Sequence, residues 1–178
     1  MSSIAIKSDA IEKGYHGRKE TATMSKPSHS PSPELPRLGD FLCFAVYSAN
    51  LAYGRAYKPI LDELGVTYTQ WITIVALWEQ DEQTVSSLGD KLFLESNTLT
   101  PILKKLEALG YLERRRDARD ERQVIVKLTA AGRALREKGA QRTLVQATGL
   151  SAPEFTAARR TMNEVRDNLI DHAQQPQK

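Results

Sequence analysis

Between Thr84 and Leu128 the chain spells, in unbroken succession, a short helix, a turn, a longer helix and two strands, an order that leaves few folds open. Thr84-Val-Ser-Ser-Leu-Gly-Asp-Lys-Leu92 reads as the short helix and Phe93-Leu-Glu as the turn. Ser96 then caps a helix that reaches Leu109, with Gly110 as its stop. Leu99, Ile102, Leu103, Leu106 and Leu109 recur at helical spacing and are expected to face inward, which leaves Thr98, Thr100, Pro101, Lys104 and Lys105 outside. This is the layout of a helix-turn-helix. Hydroxyls at the helix start suit base edges in a DNA major groove, and lysines a turn later suit phosphates. Ser96, Thr98, Thr100, Lys104 and Lys105 are therefore candidate DNA contacts, against the plainer reading of an amphipathic surface helix.

The next segment favours DNA. Tyr111-Leu-Glu-Arg114 and Gln123-Val-Ile-Val-Lys-Leu128 read as strands around Arg115-Arg-Asp-Ala-Arg-Asp-Glu-Arg122, a tip too charged to bury. A recognition helix followed by such a hairpin is a winged helix. The tip offers Arg119 and Arg122 to a narrow, negative minor groove, and Asp120 is placed to hold the Arg122 guanidinium. A salt-bridged hairpin in solvent would use the same residues. The expected fold is mainly α with a small β-hairpin wing, a winged helix-turn-helix with flanking dimerisation helices.

Length and composition fit one domain over residues 38–178, since 178 residues with 40% hydrophobic content build one ordinary core. The net charge of +3 is uneven, with Lys104-Lys105 and Arg114-Arg115-Arg116 clustered as a polyanion would require. Residues 1–37 are polar and rich in Ser and Pro, too poor in apolar surface to order, and are expected to be a flexible tail. A first helix is expected from Asp40, as N-cap, through Tyr57, with a break near Pro59. Thr67-Tyr-Thr-Gln70 has capping-box spacing and opens a largely buried second helix, Trp71 to Trp78, whose tryptophans are expected in the core. Thr129 to about Ala147 reads as a long helix, and Ser151-Ala-Pro-Glu154 as a capping box opening a last helix to about His172. Residues 38–66 and 129–178 would dimerise and residues 67–128 would read DNA. Two such units in a symmetric homodimer would meet a pseudopalindromic double-stranded operator with half-sites about one helical turn apart.

A lone cysteine cannot close an intrachain disulfide, and His16, His29 and His172 are too scattered for a zinc site, so neither metal nor cofactor is expected. No apolar run approaches a signal peptide or a membrane span, which points to a soluble, cytoplasmic protein without membrane contact.

Ser96-Asn-Thr-Leu-Thr-Pro-Ile-Leu-Lys-Lys-Leu-Glu107, together with Asp117-Ala-Arg-Asp-Glu-Arg-Gln-Val-Ile-Val-Lys-Leu-Thr-Ala-Ala-Gly132, resembles the multiple antibiotic resistance regulator (MarR) family of bacterial winged-helix repressors. Phe41-Leu-Cys-Phe-Ala-Val-Tyr47 with Gly65-Val-Thr-Tyr-Thr-Gln-Trp71 is similar to its organic hydroperoxide resistance (OhrR) branch, in the one-cysteine form. The resemblance begins near Leu38 and omits the first 37 residues. It implies a repressor, not an enzyme, in which Cys43 senses organic hydroperoxide and Tyr47 of the same chain and Tyr57 and Tyr68 of its partner lie near the thiol.

The helical step supports that pairing. At about 100° per residue, Tyr47 and Tyr57 fall about 40° to either side of Cys43 on one face. Yet the fourteen residues from Cys43 to Tyr57 span about 21 Å of a straight helix, so the two meet only between antiparallel helices of two chains. Unpaired amides at the helix start favour a thiolate, with Asp40 opposing. Peroxide would convert the thiolate to a sulfenic acid, to be resolved by a backbone nitrogen, by a small thiol, or by overoxidation. Three rivals remain: a cysteine acting as a small hydrophobe, a repressor released by a small phenolic or aromatic ligand, and a thiol peroxidase. The last lacks an evident arginine or histidine to polarise the peroxide and a second cysteine for turnover.

Overall fold

The structure is a computed structural model and describes residues 35–140 and 144–175. The tail expected over residues 1–37 thus lies outside the described residues, its last three positions excepted. Helix α1 spans Leu42–Leu64 and neither starts nor breaks where the sequence suggests. Leu38–Asp40 instead forms a 3-10 turn, and Phe41 becomes the N-cap, its carbonyl accepting from the amides of Phe44 and Ala45 at 3.1 and 3.2 Å. Pro59 lacks the amide that would bond the Arg55 carbonyl one turn back. Both residues face solvent, where water can serve that carbonyl, and the helix runs through.

Helix α2, Tyr68–Glu79, opens on the expected capping box: the Thr67 amide donates to Gln70 Oε1 at 2.9 Å and the Gln70 amide to Thr67 Oγ1 at 3.3 Å. It is buried through Gln70, Thr73, Ile74, Ala76 and Leu77. The tryptophans divide: Trp71 packs against the core, as expected, and Trp78 does not. Trp71 is half-buried and Trp78 is 46% exposed, and the two flank the Arg136 guanidinium at 5.5 and 5.0 Å from their ring centres. A cation between two indoles needs an open edge for its charge, which keeps the Trp78 ring at the surface while Trp71 closes on the core side, against Gly139.

Strand β1, Gln83–Thr84, leads directly into α3, Val85–Leu92, capped by Thr84, whose hydroxyl accepts from the Ser87 amide at 3.0 Å. Helix α4 spans Ser96–Ala108 and its N-cap is Glu95, one residue earlier than expected. Gly110, at φ +76°, turns the chain away from α4, a conformation that costs glycine nothing. Strands β2, Leu112–Arg116, and β3, Val124–Leu128, form the wing, with Leu112 opposite Leu128 and Arg116 opposite Val124. The sheet order is β1-β3-β2, all antiparallel, and β1 is an addition to the expected hairpin.

Helix α5 covers Ala130–Ala140. By Gln146–Thr148 the chain is in a 3-10 turn, so it does not continue as α-helix to Ala147; the Thr148 hydroxyl donates to the Val145 carbonyl at 2.6 Å and tightens that turn. Helix α6, Ala152–Gln174, starts at the expected box, where Glu154 accepts from the Ser151 amide at 2.8 Å and hydroxyl at 2.6 Å.

The core joins α2, α3, α4 and the wing: Ile74, Leu77, Leu88, Leu99, Leu103, Leu106, Leu112 and Val126 are almost wholly shielded, and Leu61, Leu64 and Leu135 close it from the flanking helices. Leu109, expected inward, is 40% exposed because α4 has ended and the chain turns at Gly110. By contrast α1 has no buried residue before Leu61 and α6 has none, although Phe44, Val46, Leu51, Met162 and Leu169 are apolar. Helices of that composition cover their apolar faces against something. No helix among the described residues is long and apolar enough to cross a membrane.

Candidate DNA-contacting face and cysteine site

The start of α4 and the wing enclose a groove of about 690 Å³ whose lining includes Ser86 and Ser87 of α3, Ser96 and Thr100 of α4, and Arg122 of the wing. Three of the expected contacts therefore meet in one place. Helical rotation puts Lys104 within about 40° of Thr100, on the same flank of α4, while Thr98 and Lys105 fall on the opposite flank. Lys105 indeed borders another hollow, beside Asp62, Gly65 and Thr67 at the α1–α2 turn. Thr98 and Thr100 both have local partners: Thr98 donates to Asn97 Oδ1 at 3.1 Å and Thr100 to the Ser96 carbonyl at 2.7 Å.

At the wing tip each Asp of the Asp-x-Arg-Asp-x-Arg run shapes the backbone. Asp117 Oδ1 accepts from the Arg119 amide at 2.9 Å and Asp120 Oδ1 from the Arg122 amide at 3.1 Å, two Asx turns in series. Asp120 also accepts from the Gln123 side chain at 3.1 Å. It therefore fixes the turn from which Arg122 projects, instead of gripping the guanidinium as expected. A carboxylate two residues upstream reaches the amide with less chain ordering than the far end of the side chain needs. Arg119 and Arg122 are both exposed.

The cluster Arg114-Arg115-Arg116 is less available than its composition promises. Glu107 of α4 accepts from Arg114 Nε at 2.9 Å, from its Nη2, and from its backbone amide at 3.2 Å. That pairing holds the Glu107 carboxyl below its ordinary range. Glu82 takes Arg115 at 3.3 Å and Lys127 at 2.7 Å, and hydrogen bonding to Lys127 does most to lower its carboxyl. Arg116 donates to the Glu121 carbonyl at 3.5 Å. Sequence reading missed both glutamates: Glu107 meets Arg114 only after the chain turns at Gly110, and Glu82 comes opposite Lys127 only through the pairing of β1 with β3, a strand the sequence did not announce.

Cys43 is exposed in the first turn of α1, one residue past Leu42, and Tyr47 stands one turn on at 58% exposure, its ring 6.4 Å from Phe44. Tyr57 and Tyr68 come together at the other end, with ring centres 5.5 Å apart. Burial pushes the Tyr57 hydroxyl above its ordinary range, Tyr68 and Tyr53 adding to the shift, so it stays protonated and able to donate. Because α1 is unbroken from Leu42 to Leu64, Cys43 cannot join them within one chain. A small apolar hollow of about 340 Å³ lies along α1 between these ends, lined by Ala49, Ala52, Tyr53 and Ala56 with Leu144, Ala147 and Thr148.

A helix-turn-helix with a wing on its edge, a shared groove between the two, and flanking helices α1 and α6 that leave apolar side chains exposed define a winged-helix regulator. The family model for the transcriptional regulators SarA/Rot matches residues 55–138. The HTH-type transcriptional regulator TtmR of Methylorubrum extorquens is 39% identical over 160 residues, 86% of this chain and 82% of the relative. The organic hydroperoxide resistance transcriptional regulator of Bacillus subtilis is 42% identical over 102 residues, 57% of this chain and 69% of the relative. The structure of reduced AbfR bound to DNA is similar at a TM-score of 0.63 and 34% identity, over 75% of this chain and 94% of AbfR. AbfR, from Staphylococcus epidermidis, is also solved overoxidised and bound to DNA, at 33% identity and a TM-score of 0.62, over 74% of this chain and 94% of that one. The chain belongs to the SarA/Rot and MarR-type family of winged-helix transcriptional regulators, and within it is akin to the organic hydroperoxide resistance regulators.

Proposed function

We propose that the chain is a homodimeric DNA-binding repressor that senses organic hydroperoxide through Cys43 and then leaves its operator. The observation that carries this reading is the division of α1: Cys43 and Tyr47 at one end, Tyr57 stacked on Tyr68 at the other, with an exposed apolar face between them. Antiparallel pairing of two such helices covers the face and brings the tyrosines of one chain to the thiol of the other. Residues 38–66 and 129–178 form the dimer in this reading, and residues 67–128 meet DNA through Ser96, Thr98, Thr100, Lys104, Lys105, Arg119 and Arg122, with Asp120 shaping the tip.

The thiolate of Cys43 attacks one oxygen of the hydroperoxide; the O–O bond breaks, an S–O bond forms, and the leaving alkoxide takes a proton to become the alcohol. Sulfur loses two electrons and the peroxide gains them. The sulfenic acid then condenses with a small thiol, releasing water and leaving a mixed disulfide. That AbfR has been solved overoxidised on DNA favours this bulkier adduct over the sulfinic or sulfonic acid as the releasing form. An adduct between packed helices shifts the two recognition helices, and release requires only that the shifted state bind DNA less tightly. A second reading, release by a small aromatic ligand, draws on the apolar hollow beside Tyr53.

The test is fluorescence anisotropy of the reduced protein on a labelled fragment of its own upstream DNA, titrated with an organic hydroperoxide, with and without a small thiol, and followed by intact mass. Release with the mass gain confined to Cys43, lost in Cys43→Ser, is expected. Binding that survives a fully modified Cys43 would overturn the sensor and leave the ligand reading.

A further inference from the structure

We propose that the acidic corner Asp81-Glu82, between α2 and β1, positions the wing against DNA, with Glu82 holding both wing strands. The inference rests on the reading that the wing touches DNA. The corner is tied at four points. Asp81 Oδ1 accepts from the Leu128 amide at 2.9 Å, at the root of β3, and its other oxygen takes Arg133 of α5. Glu82 Oε1 takes Lys127 of β3 at 2.7 Å and Oε2 takes Arg115 of β2 at 3.3 Å. The two strands of the wing are thus cross-linked through one carboxylate that belongs to neither.

The backbone beneath is built for this. Glu82 sits at φ +54°, where a side chain is strained and glycine would rest freely. The buried Gln83 side chain holds the corner to the end of α2, donating to the carbonyls of Ala76 at 3.1 Å and Gln80 at 2.6 Å. Exposed ion pairs such as these add little to stability, so the strain is better explained by placement than by folding energy. Fixed in this way, the wing is referred to α2, the helix that carries Tyr68 at its other end. Lys127 and Arg115 are spent on Glu82 and remain off the phosphates, which leaves Arg119 and Arg122 at the tip as the wing's free-standing cations for the groove.

The experiment is a double-mutant cycle on operator binding by the full chain, with Glu82→Gln, Arg122→Ala and both together. We expect Glu82→Gln to weaken binding about fivefold in the parent and to add almost nothing once Arg122 is gone, since a wing without its arginine gains nothing from being aimed. Lys127→Gln should repeat the pattern. Glu82→Gly relieves the backbone while deleting the carboxylate, so it should melt no lower than the parent and still bind DNA more weakly. Independent, additive losses, or full affinity in Glu82→Gln, would overturn the positioning role. A parent protein that binds no operator DNA would instead sink the reading beneath it, and is told apart by that control alone.

Discussion

Tyr57 on α1 and Tyr68 on α2 pack ring against ring, 5.5 Å between centres and inclined by 47°, at the opposite end of α1 from Cys43. A protonated phenol is a donor, and the raised Tyr57 hydroxyl is held in that form. The stack thus presents a fixed donor on a surface that one chain leaves open. Removing the hydroxyl while keeping the ring isolates its role.

Tyr57→Phe should leave DNA affinity unchanged and slow the oxidation of Cys43 about tenfold, the worth of one hydrogen bond to an anion at the lower end of its range. The rate of mass gain under limiting hydroperoxide measures it. An unchanged rate would show that Tyr57 does not reach the partner thiol.

Acid should loosen the wing before it unfolds the core. Glu82 and Glu107 both titrate below 4.5, the ordinary value, in the folded chain. A depressed carboxyl contributes its stability above the unfolded value and loses it as pH falls through the folded one, so the loss begins below about pH 4.5. Amide exchange of residues 112–128 is expected to quicken over that interval while α2 stays protected. The quickening should be largely pre-empted in a Glu107→Gln, Glu82→Gln protein.

Gly132 on α5 passes so close to the wing root that an added Cβ would lie 2.1 Å from the Tyr111 carbonyl oxygen and 2.9 Å from Leu128 Cδ2. Gly132→Ala gains about 1 kcal/mol of helix propensity. Against this stands a clash with backbone that cannot swing aside, about 3 kcal/mol. The clash wins, and the urea midpoint should fall by the equivalent of about 2 kcal/mol with an unchanged slope.

On DNA, Arg122→Ala should weaken binding and lower the salt dependence by about one counterion. Lys104, on the groove flank of α4, should matter more than Lys105, which borders the hollow by Asp62 and Thr67. Equal losses for Lys104→Ala and Lys105→Ala would mean that the duplex spans both flanks.

Much of this protein is legible in local order. Helical spacing put Leu99, Leu103 and Leu106 inside, Thr67 and Gln70 closed their capping box, and the β-branched run Val124-Ile-Val126 marked a strand, because each signal acts across four residues or fewer. The Asp-x-Arg-Asp-x-Arg run told where the tip lies but not what its acids hold, since an aspartate can serve an amide or a guanidinium with the same spacing. What tertiary structure alone decided is which charges are free. Glu107 meets Arg114 across a turn, Glu82 meets Lys127 across 45 positions, and Asp81 meets Arg133 across 52. The sequence by itself determined the class of fold through short-range periodicity; the partners of its charges depend on where a packed core brings distant backbone together, and no periodicity records that.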